Sequence, residues 1–358
     1  MKRTKGVSQS RLARLLLLTL LMGLVPLSPA VVFGRKPPPW LPEPVRNWSF
    51  DVLLVLSPPA KKVSSILSGS PADDRLYLDR FGEQVSLKKD GSTLVGTLFR
   101  PEEAGEFPGI VLVHGSTAEG RKLGLYRLLG HELAGRGYVV LSIDLRGYGD
   151  SDDPPRVDDA SALDYPSDIV GAVDYLSAVA SVDPGRIYVI GHSLGAAPTI
   201  AAGIRDDHVL AIIAIGPPRH VEERYLTSDS PEFLYFYRRT MRYTGLSQSI
   251  PFDVFQRYLQ EKQLSSYTDT FSEPGHKPIF LIDGSLESDE DRRYLQQFYQ
   301  GLTEPKEYLT LESADHYANV ANFGPIIFFD RKTADQLVDA IDLWLDGIGT
   351  TGSVDTSS

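Results

Sequence analysis

Ile187-Tyr188-Val189-Ile190-Gly191-His192-Ser193-Leu194-Gly195-Ala196-Ala197 is the stretch that decides the fold. Four apolar residues run into a glycine, a histidine-serine pair, a second glycine and two alanines. The pattern predicts a buried strand that ends in a sharp turn at Ser193 and passes into a helix. A residue on such a turn sits in a strained backbone conformation and crowds its neighbours. Gly191 and Gly195 relieve that crowding. The turn lifts the Ser193 hydroxyl above the sheet. It also points the Leu194 N–H and the start of the following helix toward a developing oxyanion. A glycine-flanked serine is a weak signal in a chain with 31 glycines, because Ser193 serves equally well as a helix N-cap. The surrounding pattern gives it weight.

Short apolar runs alternate with amphipathic segments on both sides of the turn. Upstream, Ile110 to Val113 ends in His114-Gly115, and Leu125, Leu129 and Leu133 follow at helical spacing. Tyr138 to Leu141 leads to Asp144, and Ile169, Val173 and Leu176 mark a second helix. Downstream, Ala197 to Ile204 reads as a helix. Val209 to Ile215, Ile279 to Ile282 and Tyr308 to Leu311 read as strands. Leu337, Ile341 and Trp344 or Leu345 mark a closing helix. This alternation predicts an α/β fold with a mostly parallel central sheet flanked by helices on both faces. Val85, Leu87, Leu94 and Leu98 around Asp90-Gly91 predict an N-terminal antiparallel hairpin. Active sites of such sheets lie beyond the carboxyl ends of the strands.

One stretch breaks the alternation. Pro217 to Pro278 has no strand-like run and is rich in aromatic and arginine residues: Tyr225, Phe233, Tyr235, Phe236, Tyr237, Arg238, Arg239, Tyr243, Phe252, Phe255 and Tyr258. Insertions of that length are usually lids or binding elements, so a helical cap is expected at about 217–277.

The two ends differ from the body. Lys2, Arg3, Lys5, Arg11 and Arg14 precede the apolar run Leu15 to Leu27, and Ser28-Pro29-Ala30 follows it. Residues 1–30 therefore read as a signal peptide or an N-terminal membrane anchor. The expected location is export, either periplasmic or extracellular, or anchored to the outer face of the cytoplasmic membrane. Membrane contact would run through this N-terminal segment. Residues 31–83 read as a linker and N-terminal extension, stiffened by the prolines from Pro37 to Pro44. The body covers 84–346, and 347–358 reads as a flexible tail.

Composition narrows the chemistry. With no cysteine, there is no disulfide, no thiolate metal site and no cysteine nucleophile. A net charge of −11 gives no footing for nucleic acid. No H-x-x-x-H, H-E-x-x-H or phosphate-binding glycine loop occurs, so no metal or cofactor is called for. A serine nucleophile needs a base. His316, in Ala314-Asp315-His316, follows the last predicted strand and precedes the last helix, which brings it over the sheet toward Ser193. His114 and His192 lie beside backbone motifs and read as loop supports. His131, His208, His220 and His276 read as ordinary surface or core residues. Asp144, Arg146 and Asp152 form a charged loop whose simplest role is to hold itself together.

The ordered set of pieces resembles the α/β-hydrolase superfamily, whose members include serine esterases, lipases and peptidases, over most of residues 84–346. His114-Gly115-Ser116 is similar to its oxyanion loop. Asp144-Leu145-Arg146-Gly147-Tyr148-Gly149-Asp150-Ser151 is similar to the loop after the fourth strand. Gly191 to Gly195 is similar to the nucleophile elbow. Ile282-Asp283-Gly284-Ser285-Leu286-Glu287 is similar to the loop carrying the acid, and Ala314-Asp315-His316 to that carrying the histidine. The order serine, acid, histidine is the one this fold uses. The resemblance implies Ser193, His316 and Glu287 as the catalytic set, with Asp289 as an alternative acid two residues on. Asp283 falls at the strand end and reads as structural. The oxyanion hole would take the backbone N–H groups of Leu194 and Ser116, or of Thr117 if the loop turns later. The extra glycines of the HGGG-type lipase and esterase loop are missing. The activity implied is hydrolysis of a small, partly apolar carboxylic ester or similar acyl compound through an acyl-enzyme. A peptidase, an acyltransferase or a non-catalytic exported binding protein are the alternatives on the same fold.

Overall fold

The computed structural model describes residues 77–78, 82–117, 119–217, 230–243, 249–261, 263–323 and 326–351. The expected leader or anchor, most of the linker, the tail from residue 352, and the positions of His220 and Tyr225 lie outside the described residues.

In chain order the strands and α-helices are β1 (Tyr77–Leu78), β2 (Glu83–Lys89), β3 (Ser92–Phe99), β4 (Phe107–Val113), α1 (Gly124–Ala134) and β5 (Val139–Ile143). Then come α2 (Tyr165–Ser177), β6 (Val182–His192), α3 (Ala196–Arg205), β7 (Val209–Ile215), α4 (Pro231–Tyr243), α5 (Phe252–Glu261) and α6 (Thr268–Ser272). The chain closes with β8 (Ile279–Gly284), α7 (Asp289–Gly301), β9 (Lys306–Leu311), β10 (Ala321–Phe323), β11 (Ile326–Phe328) and α8 (Arg331–Thr351).

Eight strands form the main sheet in the order β2-β3-β5-β4-β6-β7-β8-β9. The six from β5 to β9 are mutually parallel, and β3 and β2 add an antiparallel edge. Asp90 and Gly91 connect β2 to β3 with φ values of 48° and 82°. Two successive positive φ angles define the hairpin turn that Asp-Gly favours, and they set the register that pairs Leu87 with Leu94.

Both faces of the sheet's centre are buried, so the inner strands β4, β5, β7 and β8 are almost continuously apolar and alternate between two cores. Val111 and Val113 of β4 join one core with Ile169, Val173 and Leu176 of α2 and Ile200 of α3. Ile110 and Leu112 join the other with Leu125, Leu129 and Leu133 of α1 and Leu337, Ile341 and Leu345 of α8. The apolar stripes legible in the sequence are the faces these helices press on the sheet.

Two departures from the sequence expectations concern edges. A small antiparallel sheet, β1-β11-β10, follows the His316 loop. Its strands are too short to register as apolar runs, and its first strand lies ahead of the expected body start at residue 84. The last helix continues to Thr351, past residue 346, with Ile348 packed on the core. Between β7 and β8 the described residues are helical, with α4 and α5 laid together. Phe233, Phe252 and Phe255 are packed ring against ring, with centroids 5.0–6.3 Å apart between Phe233 and the other two. Phe233 and Phe255 are buried, and the Tyr237 hydroxyl donates to the Ile250 carbonyl at 2.6 Å. Phe233 and Phe255 join the same buried cluster as Val111, Val113 and Ile200 of the body.

Candidate active site

The strand β6 ends at His192, and a single 3-10 turn, Ser193–Gly195, leads into α3. Ser193 has φ 52°, a left-handed conformation that costs a non-glycine residue on the order of 1–3 kcal/mol. The turn is tight enough that a side chain at Gly195 would place its Cβ 2.4 Å from the His114 carbonyl oxygen. At Gly191 the same atom would lie 2.4 Å from Thr199 Oγ1. Both motif glycines are therefore demanded by close approach.

Two further loops meet Ser193 at the carboxyl edge of the sheet. The His316 imidazole bridges the serine and a carboxylate: the Ser193 hydroxyl donates to Nε2 at 2.9 Å, and Nδ1–H donates to Glu287 Oε2 at 3.0 Å. A carboxylate only accepts, so the proton sits on Nδ1, and Nε2 is left with a free lone pair aimed at the hydroxyl. The other Glu287 oxygen accepts the Gly284 N–H at 3.2 Å. The histidine is about one-third exposed, while Glu287 is only 9% exposed. The base is thus reachable and its acid partner is shielded.

Local sequence explains how the two loops meet. Ser288 caps α7 by accepting from the Asp291 N–H, so the helix starts at Asp289 and Glu287 stays in the turn before it. Asp289 points outward, 78% exposed, and pairs with Arg292 at 2.7 Å. It does not approach His316. Asp283 is likewise engaged elsewhere, accepting from the Tyr308 hydroxyl at 2.6 Å. The acid and base loops are laced by Leu286 N–H to the Ala314 carbonyl at 2.9 Å and by Ser313 N–H to Ser285 Oγ at 2.8 Å.

The third loop follows β4. Gly115 lies so close to the nucleophile that a Cβ on it would sit 2.7 Å from Ser193 Cβ, and Ser116 is the next residue in the chain. Leu194 is buried at the start of the turn. Thr117 braces its own loop through its two oxygens. Its carbonyl accepts the Gly120 N–H at 3.2 Å and its hydroxyl the Glu119 N–H at 3.3 Å.

The other sequence candidates have structural partners. The His114 ring donates from Nδ1 to the Gly115 carbonyl at 2.7 Å, and its Nε2 accepts the Leu145 N–H at 3.1 Å. Burial lowers its pKa and keeps it neutral. His131 stacks edge-on against Phe99, His208 pairs with Asp206, and His276 contacts the Lys277 and Thr303 carbonyls. Asp144 is wholly buried. It accepts the Arg121 and Asp150 N–H groups at 2.7 and 2.9 Å and is ion-paired with the Arg121 guanidinium. Arg146 is ion-paired with buried Asp168, and Asp152 accepts the Thr93 N–H at 2.7 Å.

Sequence reasoning passed over Gly216 and Tyr126. Gly216, with φ +52°, closes β7 against the histidine and acid; a Cβ there would lie 3.1 Å from the His316 ring and 3.2 Å from Glu287 Oε1. Its only signal was a glycine at the end of a strand-like run. Tyr126 sits on the buried side of α1 among leucines and carried no signal at all.

A mostly parallel sheet of this order, with serine, acid and histidine arriving in that sequence on loops at one edge, defines an α/β hydrolase. The chain belongs to the alpha/beta hydrolase family, whose model matches residues 110–323. It is similar to an uncharacterized protein of Mycobacterium tuberculosis, at 30% identity over 162 residues that make up 44% of this chain and 50% of the relative. It is also similar to the esterase EstD of Thermotoga maritima, at 32% identity over 138 residues, 36% of this chain and 32% of the relative. These matches span half or less of the relatives' length. A soluble variant of monoglyceride lipase from Saccharomyces cerevisiae has a similar fold, with a TM-score of 0.55 at 16% identity over 78% of this chain and 98% of that one.

Proposed function

We propose that this chain is a serine hydrolase of small, partly apolar carboxylic esters, working through an acyl-enzyme. The unbroken hydrogen-bond line from Ser193 through His316 to Glu287 carries this proposal. In the first half-reaction, His316 Nε2 takes the hydroxyl proton as Ser193 Oγ attacks the carbonyl carbon. The tetrahedral oxyanion is met by the Leu194 N–H, at the positive end of α3, and by the Ser116 N–H. The intermediate collapses as Nε2 hands its proton to the departing alkoxide, leaving an ester bond to Ser193. In the second half-reaction a water gives its proton to Nε2 and attacks the acyl carbon, and the carboxylic acid leaves as Ser193 recovers its proton. Glu287 holds the Nδ1–H tautomer and stabilises the imidazolium in both halves.

An ester specificity is supported by the esterase among the similar proteins. The decisive experiment combines fluorophosphonate labelling with hydrolysis of p-nitrophenyl esters. Labelling and turnover that both vanish in Ser193→Ala are expected; a wild type with neither overturns the proposal. Product analysis with alcohol and amine acceptors separates hydrolysis from acyl transfer, and a peptide panel tests for peptidase activity.

We also propose that the basic and apolar N-terminal segment exports the body or anchors it to the outer face of the membrane. Among the described residues no helix is long and apolar enough to cross a membrane. Mass spectrometry of the mature N-terminus decides between the two routes: a start near Val31 means cleavage, and an intact leader in the membrane fraction means an anchor.

A further inference from the structure

Behind the serine, His192 and Tyr126 form a second hydrogen-bond line that the acyl-transfer chemistry does not use. The Gly115 N–H donates to the Tyr126 hydroxyl oxygen at 2.7 Å. Tyr126 lies 2.8 Å from His192 Nδ1, and His192 Nε2 lies 2.8 Å from the His316 backbone carbonyl. Both side chains are fully buried.

The proton positions follow from elementary bookkeeping. A carbonyl oxygen only accepts, so His192 Nε2 must carry a hydrogen. If the ring is neutral, Nδ1 is an acceptor and the Tyr126 hydroxyl donates to it. The Tyr126 oxygen then has a lone pair for the Gly115 N–H. Every group is satisfied, and all three bonds run in one direction from Gly115 to His316. Protonating His192 would set an Nδ1–H against the Tyr126 hydroxyl and displace its proton from the line. Burial opposes that charge, as does the His316 ring with its centroid 4.8 Å away, and holds the His192 pKa down at about 3. The other aromatic rings packed on His192 are those of Tyr126 and Tyr317, at 5.7 and 5.4 Å.

The line joins parts that have to keep register. Gly115 belongs to the loop on the oxyanion side, His192 to the elbow, and His316 to the loop after β9. That last loop holds three non-glycine residues at positive φ, Ser313, Ala318 and Asn319, so its shape depends on being held from outside. We propose that Tyr126 and His192 are positioning residues, a directed hydrogen-bond strap that fixes the Gly115 amide and the His316 backbone around Ser193. This rests on the serine-hydrolase assignment above, and it adds a role for the histidine inside the elbow motif.

The test compares four proteins with wild type: Tyr126→Phe, His192→Leu, the double variant of these two, and His192→Gln. Active sites are counted by fluorophosphonate titration, and kcat and KM are measured on p-nitrophenyl butyrate per titrated site. Displacing catalytic groups by an ångström costs about 100-fold in rate, so Tyr126→Phe and His192→Leu should each lose about 10- to 100-fold in kcat. KM should stay within about threefold, because ester binding is not touched. The double variant should be no worse than the poorer single, since both cut one line. His192→Gln should recover most of the rate, as its amide N–H can donate to the His316 carbonyl and its oxygen can accept from Tyr126. Wild-type kcat per site in both Tyr126→Phe and His192→Leu overturns the strap, as do multiplying losses in the double variant. If His192→Leu does not fold, the nearly isosteric Tyr126→Phe decides alone. Failure of the underlying assignment looks different: wild type itself would then show no Ser193-dependent label, and the strap would fall with it.

Discussion

Two charged assemblies share the carboxyl edge of the sheet, and they are built to opposite ends. In one, Asp144 and Asp168 are completely buried, and each is matched by an arginine and by backbone N–H groups. Gly120 and Gly149 let the chain wrap so closely that a Cβ on either would come within 2.1 Å of an Asp144 oxygen. Nothing is left over to meet a substrate. In the other, Ser193, His316 and Glu287 bring fewer charges but leave one side open, with the imidazole partly exposed and a strained serine in front of it. The same residue types therefore serve architecture where their partners saturate them, and chemistry where one lone pair is held free.

The sharpest way to break this contrast is to remove the nucleophile. Ser193→Ala should lower kcat by roughly 10³- to 10⁶-fold while leaving the melting temperature close to wild type. Next come the competing acids. Glu287→Gln should cost about 10²- to 10⁴-fold in kcat/KM, because the tautomer is no longer fixed, whereas Asp289→Asn should stay within about twofold. Equal losses in the two would mean the acid assignment is mistaken. The architectural assembly should behave in reverse. Asp168→Ala strands the Arg146 guanidinium in the interior and should cost roughly 3–5 kcal/mol in chemical denaturation. Its kcat per titrated site should remain near wild type.

The smallest effect is one of pH. Burial holds the folded-state pKa of His192 at about 3, below the ordinary value of about 6.5 for an unfolded histidine. The unfolded chain therefore takes up a proton at this position that the folded chain refuses. Stability from this group is present above pH 6.5 and falls as the pH drops toward 3. Between pH 6.5 and 5 the loss should be roughly 1–2 kcal/mol. Denaturation at the two pH values checks it: His192→Gln should show a shallower decline than wild type.

How much of this was legible follows from which constraints are local. The elbow was readable because the turn demands glycines at fixed positions on either side of Ser193. The parallel sheet was readable because strands buried on both faces need unbroken apolar runs. The acid stayed ambiguous because Glu287 and Asp289 differ only in which side of the Ser288 cap they fall, a matter of helix start. Tyr126 was invisible because its hydroxyl acts across 66 positions of chain on His192, and an aromatic among leucines on a helix signals only burial. The aromatic insertion misled in the other direction. Phe233 and Phe255, part of the aromatic run that suggested a lid or binding element, are buried in the cluster shared with the body.

The short pairing of β1 with β11 has a practical reach. Tyr77 and Leu78 stand opposite Ile327 and Ile326, and β10, which follows the His316 loop, lies on the other side of β11. Anyone trimming the leader to obtain a tractable protein would be tempted to begin at the β2 hairpin. That cut removes the first row of a three-row ribbon and leaves the β11 backbone unpaired along one side, open to another chain. The shortening has to stop ahead of Tyr77, and the segment before the body then counts as part of the scaffold that carries the base.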